Sequence, residues 1–256
     1  FLFNKAANAV ARQKAEEAIS LDPGYYYAYG ILGKTYIGEV FFGWSPSPKE
    51  SLGRAFESAN KSLALDESSF QAHTTLAYVH LLKREHDAAV RESERAVELA
   101  PNAADSFFNL GIILRFAGRV KEAIPAFERA MRLNPIPPAT YLYQLALSYT
   151  CIGEFERAVR LCKEALSKNP DDLVGRVTLI IAYGSLGRDE DARAQVSELL
   201  RVDPKFSLEQ AARSDSWDRV LTQLPTLVAL ARQTLDLMGQ RFGTQDEDQT
   251  LDPPAE

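Results

Sequence analysis

Apolar residues along most of the chain recur with the spacing of one buried helix face, and prolines interrupt this pattern at regular steps. Leu110, Ile113 and Leu114 show the i, i+3, i+4 spacing of an amphipathic helix. The prolines that end the motifs LDP, LAP, LNP, KNP and VDP are Pro23, Pro101, Pro135, Pro170 and Pro204, so the last three steps are 34, 35 and 34 residues. This regularity predicts an internal helical repeat of about 34 residues.

Small residues recur at fixed distances before these prolines. A Leu lies 25 positions before the proline and an Ala lies 12 positions before it, at Leu76, Leu110, Leu145, Leu179 and at Ala89, Ala123, Ala158, Ala192. A glycine lies 17 positions before it, at Gly118, Gly153 and Gly187. Two helices approach closely only where side chains are small, glycine favours the tight turn between them, and a proline disfavours helical geometry in the residue before it. Each period is therefore predicted to be a helix, a Gly turn, a second helix and a Pro turn.

These leucine, alanine, glycine and proline positions resemble those of the tetratricopeptide repeat family. The resemblance implies an all-α fold, a right-handed α-solenoid of tetratricopeptide helix-turn-helix repeats with a C-terminal capping helix. The predicted divisions are a repeat array over 1–208, with a half repeat over 5–23 and repeats over 25–67, 70–101, 104–135, 139–170 and 173–204, then capping helices over 209–243 and an acidic disordered tail over 244–256. Because the chain opens on half a repeat and on Phe1, we expect it to be a piece of a longer protein.

One predicted repeat carries an insertion. The step from Pro23 to Pro101 is 78 residues, about ten more than two periods, and the extra residues fall in the stretch GEVFFGWSPSPKE over 38–50. Its Phe41, Phe42 and Trp44 predict either a docking patch or a loop that folds back over the first repeats. We favour the second interpretation, because three exposed aromatic rings together promote aggregation. Pro48 fits the first turn of the next helix, with Ser47 as its cap.

The residues after Pro204 depart from the period. They contain one apolar stripe at helical spacing, formed by Leu224, Leu227, Val228, Ala231, Leu235 and Met238. A solenoid needs an element that covers its last exposed face, so the stripe predicts a capping helix. Self-association through the stripe, which would make a homo-oligomer, and insertion of this helix into the groove of the solenoid are the alternatives.

Composition and charge exclude several classes of partner. The net charge is −6, and the five carboxylates after Gly243 leave the rest of the chain at −1. Without a basic excess we expect no nucleic-acid partner, because phosphate neutralisation dominates that binding. No apolar run approaches the about 20 residues that cross a bilayer, so we expect no membrane partner. Cys151 and Cys162 lack C-x-x-C spacing and are predicted to be buried free thiols in a cytoplasmic protein.

Motifs for catalysis or for cofactors are missing. No G-x-S-x-G, G-x-G-x-x-G or G-x-x-x-x-G-K-[ST] occurs, and the carboxylates alternate with bases along predicted helices, which is typical of a solvated face. His73 and His80 are two helical turns apart, about 10 Å along the axis, which is too far for one metal ion. We expect a chain without an active site, a metal or a cofactor.

The first helices of stacked repeats line a continuous concave groove, where a partner can bind. In the register of the family, the groove-facing residues are Tyr27, Lys34, Gln71, Thr74, Tyr78, Asp105, Phe108, Asn109, Ile112, Arg115, Thr140, Tyr143, Gln144, Leu147, Val174, Val177 and Ile181. Aromatic rings beside amides suit a bound peptide. The alternative interpretation is that some of these residues pack between adjacent helices or beneath the C-terminal segment of the chain. Family members that hold a C-terminal carboxylate use a set of basic and amide residues, and Gly30 and Thr74 stand where two of these are needed. We therefore expect that this chain has no such carboxylate clamp.

The stretch from about Ala11 to Leu208 also resembles the tetratricopeptide region of bacterial class III adenylyl cyclases, most specifically in FFGWSPSPKE at 41–50. In that family the cyclase domain lies upstream and the repeats serve regulation or assembly. The resemblance implies a noncatalytic module that binds a protein or peptide within a larger signalling protein. The alternative is a structural spacer or dimerisation arm whose groove is filled by its own C-terminal helix.

Overall fold

The computed structural model describes residues 4–204 and residue 206, and within them every regular element is an α-helix. The elements are α1 (Lys5–Leu21), α2 (Tyr26–Phe41), α3 (Pro48–Leu65), α4 (Phe70–Leu82), α5 (His86–Leu99), α6 (Ala104–Phe116), α7 (Val120–Leu133), α8 (Ala139–Cys151), α9 (Phe155–Lys168), α10 (Leu173–Ser185) and α11 (Asp189–Val202). The predicted all-α solenoid of helical hairpins is confirmed.

The helices pack as five hairpins preceded by the single helix α1. In the hairpins α2 packs on α3, α4 on α5, α6 on α7, α8 on α9 and α10 on α11. The first helix of each hairpin also contacts the first helices of its neighbours, and the second helix contacts the first helix of the next hairpin. We call α2, α4, α6, α8 and α10 the inner helices, and α1, α3, α5, α7, α9 and α11 the outer helices.

Glycine makes three of the turns inside the hairpins. Gly118, Gly153 and Gly187 have φ of +79°, +83° and +68°, in the left-handed region that a side chain disfavours. This is the physical basis of the periodic glycine in the sequence. Between α4 and α5 the same position is Arg84, which adopts φ of +63° without being glycine.

Close packing explains the small residue in the middle of α6. A Cβ atom added to Gly111 would lie 2.7 Å from the ring of Phe127 on α7. That ring is 1% exposed, so it has no space into which to move. The hairpin can close only because position 111 carries no side chain.

The insertion in the first hairpin is mostly helical, which corrects the prediction of an inserted loop. α2 has 16 residues where α4, α6, α8 and α10 have 13, and α3 has 18 where α5, α7, α9 and α11 have 14. Only the connection over residues 42–47 is loop. Pro48 opens α3 as predicted, but the Ser47 side chain forms no capping hydrogen bond.

Phe41 of the insertion contacts later hairpins. The ring of Phe41 meets Tyr78 on α4 and Phe116 on α6 edge-on, with centroid distances of 6.1 and 6.0 Å. Phe42 stacks on Trp44 at 4.8 Å, and both rings are half-buried. The fold-back interpretation is confirmed for Phe41.

Several predictions concern residues outside the described part of the chain. These are the capping helices over 209–243 with their apolar stripe, and the acidic tail over 244–256. The division into domains stays a prediction. None of the described helices combines the length and the apolar character that crossing a membrane requires.

Candidate functional site

The candidate site is the surface of the inner helices that the sequence analysis predicts to face a groove, and we call it the inner face. Tyr27 and Lys34 lie on α2; Gln71, Thr74 and Tyr78 on α4; Asp105, Phe108, Asn109, Ile112 and Arg115 on α6; Thr140, Tyr143, Gln144 and Leu147 on α8; and Val174, Val177 and Ile181 on α10. The face therefore crosses all five hairpins.

Most of the inner face is buried. Gln71, Thr74, Tyr78, Phe108, Asn109, Ile112, Arg115, Tyr143, Gln144, Leu147, Val177 and Ile181 are all less than 9% exposed. Helices α4, α6 and α8 are each contacted by four other helices, which covers much of their circumference. Tyr27 and Asp105 are exposed, and Lys34, Thr140 and Val174 are partly exposed. A partner would reach these five residues first.

A polar connection joins the inner face of α4 to that of α6. The hydroxyl of Tyr78 donates a hydrogen bond of 2.9 Å to Oδ1 of Asn109, and Nδ2 of Asn109 donates one of 2.7 Å to the backbone oxygen of Asp105. Burial raises the pKa of Tyr78, so its hydroxyl remains a donor. Asn109 is thereby held in one orientation.

A second polar connection joins α6 to α8. Nη2 of Arg115 donates a hydrogen bond of 2.7 Å to Oε1 of Gln144. Burial lowers the pKa of Arg115 to about 10, so the guanidinium keeps its charge at neutral pH. The guanidinium carbon also lies 4.6 Å from the centroid of the Phe116 ring. A buried cation therefore lies in the middle of the inner face.

The exposed carboxylate of Asp105 adds a negative group to this face. It accepts a hydrogen bond from the hydroxyl of Tyr141, whose ring stacks on Phe108 with a centroid distance of 4.1 Å and an interplanar angle of 7°. Burial lowers the pKa of Lys34, and the charge of Asp105 acts in the opposite direction. Both signs of charge are thus present on the inner face, Lys34 on the first hairpin and Asp105 on the third.

The remaining predicted residues do not join this polar group. Tyr27 stacks on Tyr25, the hydroxyl of Thr74 bonds the backbone oxygen of Phe70, and Ile112 belongs to the hydrophobic core. Phe41, Phe116 and Tyr141 contact residues of the inner face and were not predicted from the sequence. The aromatic insertion was the signal for Phe41, whereas Tyr141 becomes visible only when its position opposite Asp105 on the next hairpin is known.

Histidines and cysteines in the described residues do not form a reactive centre. Nδ1 of His73 lies 2.7 Å from Glu92, and His80 pairs with Glu85. Residues 4–204 and 206 contain no group of three or more His, Cys, Asp or Glu that could hold a metal ion. Both cysteines are free, Cys162 is buried as predicted, and Cys151 is partly exposed. Burial raises the pKa of each thiol, which lowers its reactivity.

A shallow cleft of about 700 Å³ lies among α7, α8 and α9, and it was not predicted from the sequence. Its lining residues come from α7, α8 and α9 and are Glu128, Met131, Arg132, Leu145, Tyr149, Arg157, Arg160, Leu161 and Glu164. The Tyr149 hydroxyl donates to Glu128 at 2.6 Å, and the Arg157 guanidinium lies 4.0 Å from the centroid of the Tyr149 ring. Within the cleft Arg157 and Glu128 also form an ion pair, with Nη2 3.4 Å from Oε1.

Comparison with known proteins connects the geometry to a family. Residues 70–103, 104–136 and 153–214 each match a profile described as Tetratricopeptide repeat, and together these matches cover half of the chain. The transcriptional regulator HilA of Salmonella typhimurium is 24% identical over 184 residues, which are 72% of this chain and 33% of HilA. The chain thus spans about a third of the length of this curated relative.

Solved structures of low sequence identity share the fold. PilF of Pseudomonas aeruginosa superimposes with a TM-score of 0.61 at 18% identity, over 90% of this chain and 95% of PilF. YrrB, described as a TPR protein with an unusual peptide-binding site, superimposes with a TM-score of 0.53 at 20% identity, over 74% of this chain and 92% of YrrB. At such identities the likeness concerns the fold alone.

Proposed function

We propose that this chain, which belongs to the tetratricopeptide repeat family, is a noncatalytic module that binds a peptide or protein segment along its inner face. The observation that carries the proposal is the alignment of polar groups from three successive hairpins, Tyr78 with Asn109 and Arg115 with Gln144. Hydrogen bonds between hairpins fix these groups before any partner arrives, which reduces the entropy lost on binding. The peptide-binding site named for YrrB supports the same class of partner.

The geometry also explains which residues a segment would meet. Asp105 and Tyr27 are exposed and Lys34 is partly exposed, and they offer a carboxylate, a ring and an ammonium. An extended segment can pair its backbone with such side chains while an aromatic ring supplies rigid contact area. Binding deeper in the face requires that the segment reach the buried residues between them.

The test locates the binding face with two matched photo-cross-linkers. Tyr27 on α2 and Phe56 on α3 are both aromatic and both 40% exposed, but only Tyr27 belongs to the inner face. Peptides selected from a displayed random library on the full chain are added to variants that carry p-benzoylphenylalanine at either position. We expect cross-links from position 27 and none from position 56. Equal cross-linking, cross-linking from position 56 alone, or a library without binders contradicts the proposal.

A second candidate function is favoured by the burial of the inner face. In it the chain is a spacer or dimerisation arm, and its own C-terminal helix fills the groove. Light scattering and urea unfolding of a variant that lacks residues 221–239 separate the two candidates. An unchanged monomer mass and an unchanged unfolding midpoint count against the second candidate.

The larger setting that we propose is regulation in a bacterial signalling protein of the cytoplasm, such as an adenylyl cyclase. The resemblance of FFGWSPSPKE to the cyclase-associated repeats and the similarity to a transcriptional regulator support a regulatory role. The sequence of the complete gene tests it. An upstream region that encodes neither an enzyme nor a DNA-binding domain would contradict this setting.

A further inference from the structure

Arg115 is a buried cation that the described residues leave mostly without partners. Its side chain is 0% exposed, and only Nη2 forms a hydrogen bond, to the neutral amide oxygen of Gln144. Nε and Nη1 are buried and have no hydrogen-bond partner. The groups that act on its charge are Cys151, Tyr143 and Tyr78, so no carboxylate is among them. A buried charge in neutral surroundings is costly to the folded state.

Other arginines in the same chain show how this cost is normally avoided. Arg12 forms an ion pair with Glu39, with Nη2 2.5 Å from Oε1. Arg176, which is 6% exposed, donates to Oε1 of Gln195 at 3.0 Å and to the backbone oxygen of Pro170 at 2.5 Å. Arg176 on α10 is thus anchored at Nη1 and Nη2 and leaves only Nε without a partner, whereas Arg115 on α6 is anchored at Nη2 alone.

The surroundings of Arg115 are aromatic. Phe116 lies against the guanidinium, and Phe41 meets the rings of both Phe116 and Tyr78 edge-on. Tyr143 and Tyr78 are buried beside it. Such surroundings exclude water, and in a medium of low polarity an ion pair is much stronger than at a hydrated surface.

A carboxylate is the group that satisfies this arrangement. It supplies an oxygen acceptor to one of the two unpartnered nitrogens, Nε or Nη1, and one negative charge to the one positive charge. We propose that Arg115 binds a carboxylate of the partner segment, so that the inner face selects peptides with an Asp or Glu side chain between apolar residues. This inference rests on the proposed function, and it specifies the chemistry of the partner. The proposed contact needs no C-terminal carboxylate. This agrees with Gly30 and Thr74, which stand where a clamp for a C-terminal carboxylate needs polar or basic side chains.

The first test compares acid and amide peptides. Each peptide selected on the wild-type chain is synthesised with an amidated C-terminus, once as selected and once with each Asp changed to Asn or Glu to Gln. We expect one such change to weaken binding to the wild type by about tenfold or more, and to leave binding to Arg115→Gln nearly unchanged. Arg176→Gln is the matched control and should preserve the acid preference.

Two results of this test overturn the inference but leave the proposed function standing. One is a set of bound peptides without Asp or Glu. The other is that changing Asp to Asn or Glu to Gln in the peptide weakens binding equally in the wild type and in Arg115→Gln. A library without any binder instead contradicts the proposed function itself.

The second test needs no ligand. If the charge of Arg115 is uncompensated in the free chain, Arg115→Met should leave the urea midpoint unchanged or raise it, whereas Arg176→Met, which removes two hydrogen bonds, should lower it. An equal decrease in both variants means that Arg115 is already satisfied inside the chain, and this overturns the inference.

Repeating this measurement decides whether the carboxylate that pairs with Arg115 comes from an external partner or from the chain's own acidic tail. The repeat uses a chain with Asp246→Asn, Glu247→Gln, Asp248→Asn, Asp252→Asn and Glu256→Gln. If Arg115→Met lowers the midpoint only while the tail carboxylates are present, the tail is the occupant and an external partner is excluded. We expect the tail changes to have no influence on the effect of Arg115→Met.

Discussion

The inner helix α8 and the outer helix α9 belong to one hairpin and have nearly equal lengths, yet they differ in burial. In α8 every residue from Tyr141 to Thr150 is buried, including six whose side chains carry a hydroxyl or amide group. In α9 only Ala158, Val159, Cys162 and Ala165 are buried, and the rest of the surface carries charges. The difference follows from the number of neighbours, because α8 contacts helices on four sides. Inner positions therefore restrict the sequence much more than outer positions do.

The largest expected contrast comes from removing the same side chain on the two kinds of helix. Leu142 on α8 is 0% exposed, and Leu21 at the end of α1 is 82% exposed. Leu142→Ala should lower the free energy of unfolding by about 2–5 kcal/mol, because it leaves a cavity. Leu21→Ala should change it by less than about 0.5 kcal/mol. Urea unfolding measures both, and similar losses would contradict the difference between inner and outer helices.

A methyl group added to a helical glycine should have opposite effects on the two sides. Gly111→Ala on α6 brings Cβ to 2.7 Å from the Phe127 ring and should cost about 1–3 kcal/mol of unfolding free energy. Gly53 on α3 has no atom within 4 Å of an added Cβ, so Gly53→Ala should stabilise by about 0.5–1 kcal/mol. The same sign for both changes would show that the close contact of α6 with α7 is absent.

Substitutions in the turns between inner and outer helices test the effect of the left-handed backbone conformation. Gly187→Ala, at φ of +68°, should lower the free energy of unfolding by about 1 kcal/mol. Arg84→Gly removes the penalty for a side chain at φ of +63°. After the greater freedom of the unfolded chain is included, this change should raise the free energy of unfolding by about 0.5 kcal/mol. Thermal midpoints of the two variants should move in opposite directions. A decrease for Arg84→Gly would mean that the Arg84 side chain stabilises the turn.

The smallest effect is expected for an ion pair on the outer surface. Arg119 and Glu122, at the start of α7, form a hydrogen-bonded pair at 2.5 Å, but both side chains are solvated. Exposed pairs gain little because water and salt screen them. Arg119→Gln should leave the urea midpoint unchanged within error at low and at high salt, with Glu122→Gln as its control. A clear decrease of the urea midpoint at low salt would mean that ion pairs on the outer helices contribute more to stability than expected.

The hairpins follow from the sequence because their determinants are local. Gly187 is required by one backbone angle and the prolines by the geometry of the preceding residue, so both appear in the sequence at the repeat period. Arg84 shows the limit of this reasoning, since the fold keeps the left-handed turn without the residue that signals it. The ten-residue insertion was visible, but its division between two longer helices and a loop depends on contacts of Phe41 with α4 and α6.

The candidate site was predictable in position and less so in character. The family register identified Asn109, Arg115 and Gln144 because the inner helix repeats its facing positions in every hairpin. Their partners could not be predicted, since the bond from Tyr78 to Asn109 spans 31 residues and that from Arg115 to Gln144 spans 29. Burial was predicted only as an alternative for some of these residues, because it depends on how many helices surround an inner helix rather than on any residue in it.

The reach of Phe41 changes how the N-terminal end of the array can open. In an array whose units touch only their neighbours, the terminal units fray first. Here the release of α2 must also break contacts with rings on both α4 and α6. Backbone amides of α2 should consequently exchange with deuterium almost as slowly as those of the central helices, and faster exchange should be confined to α1, which precedes this contact, and to α11 at the opposite end.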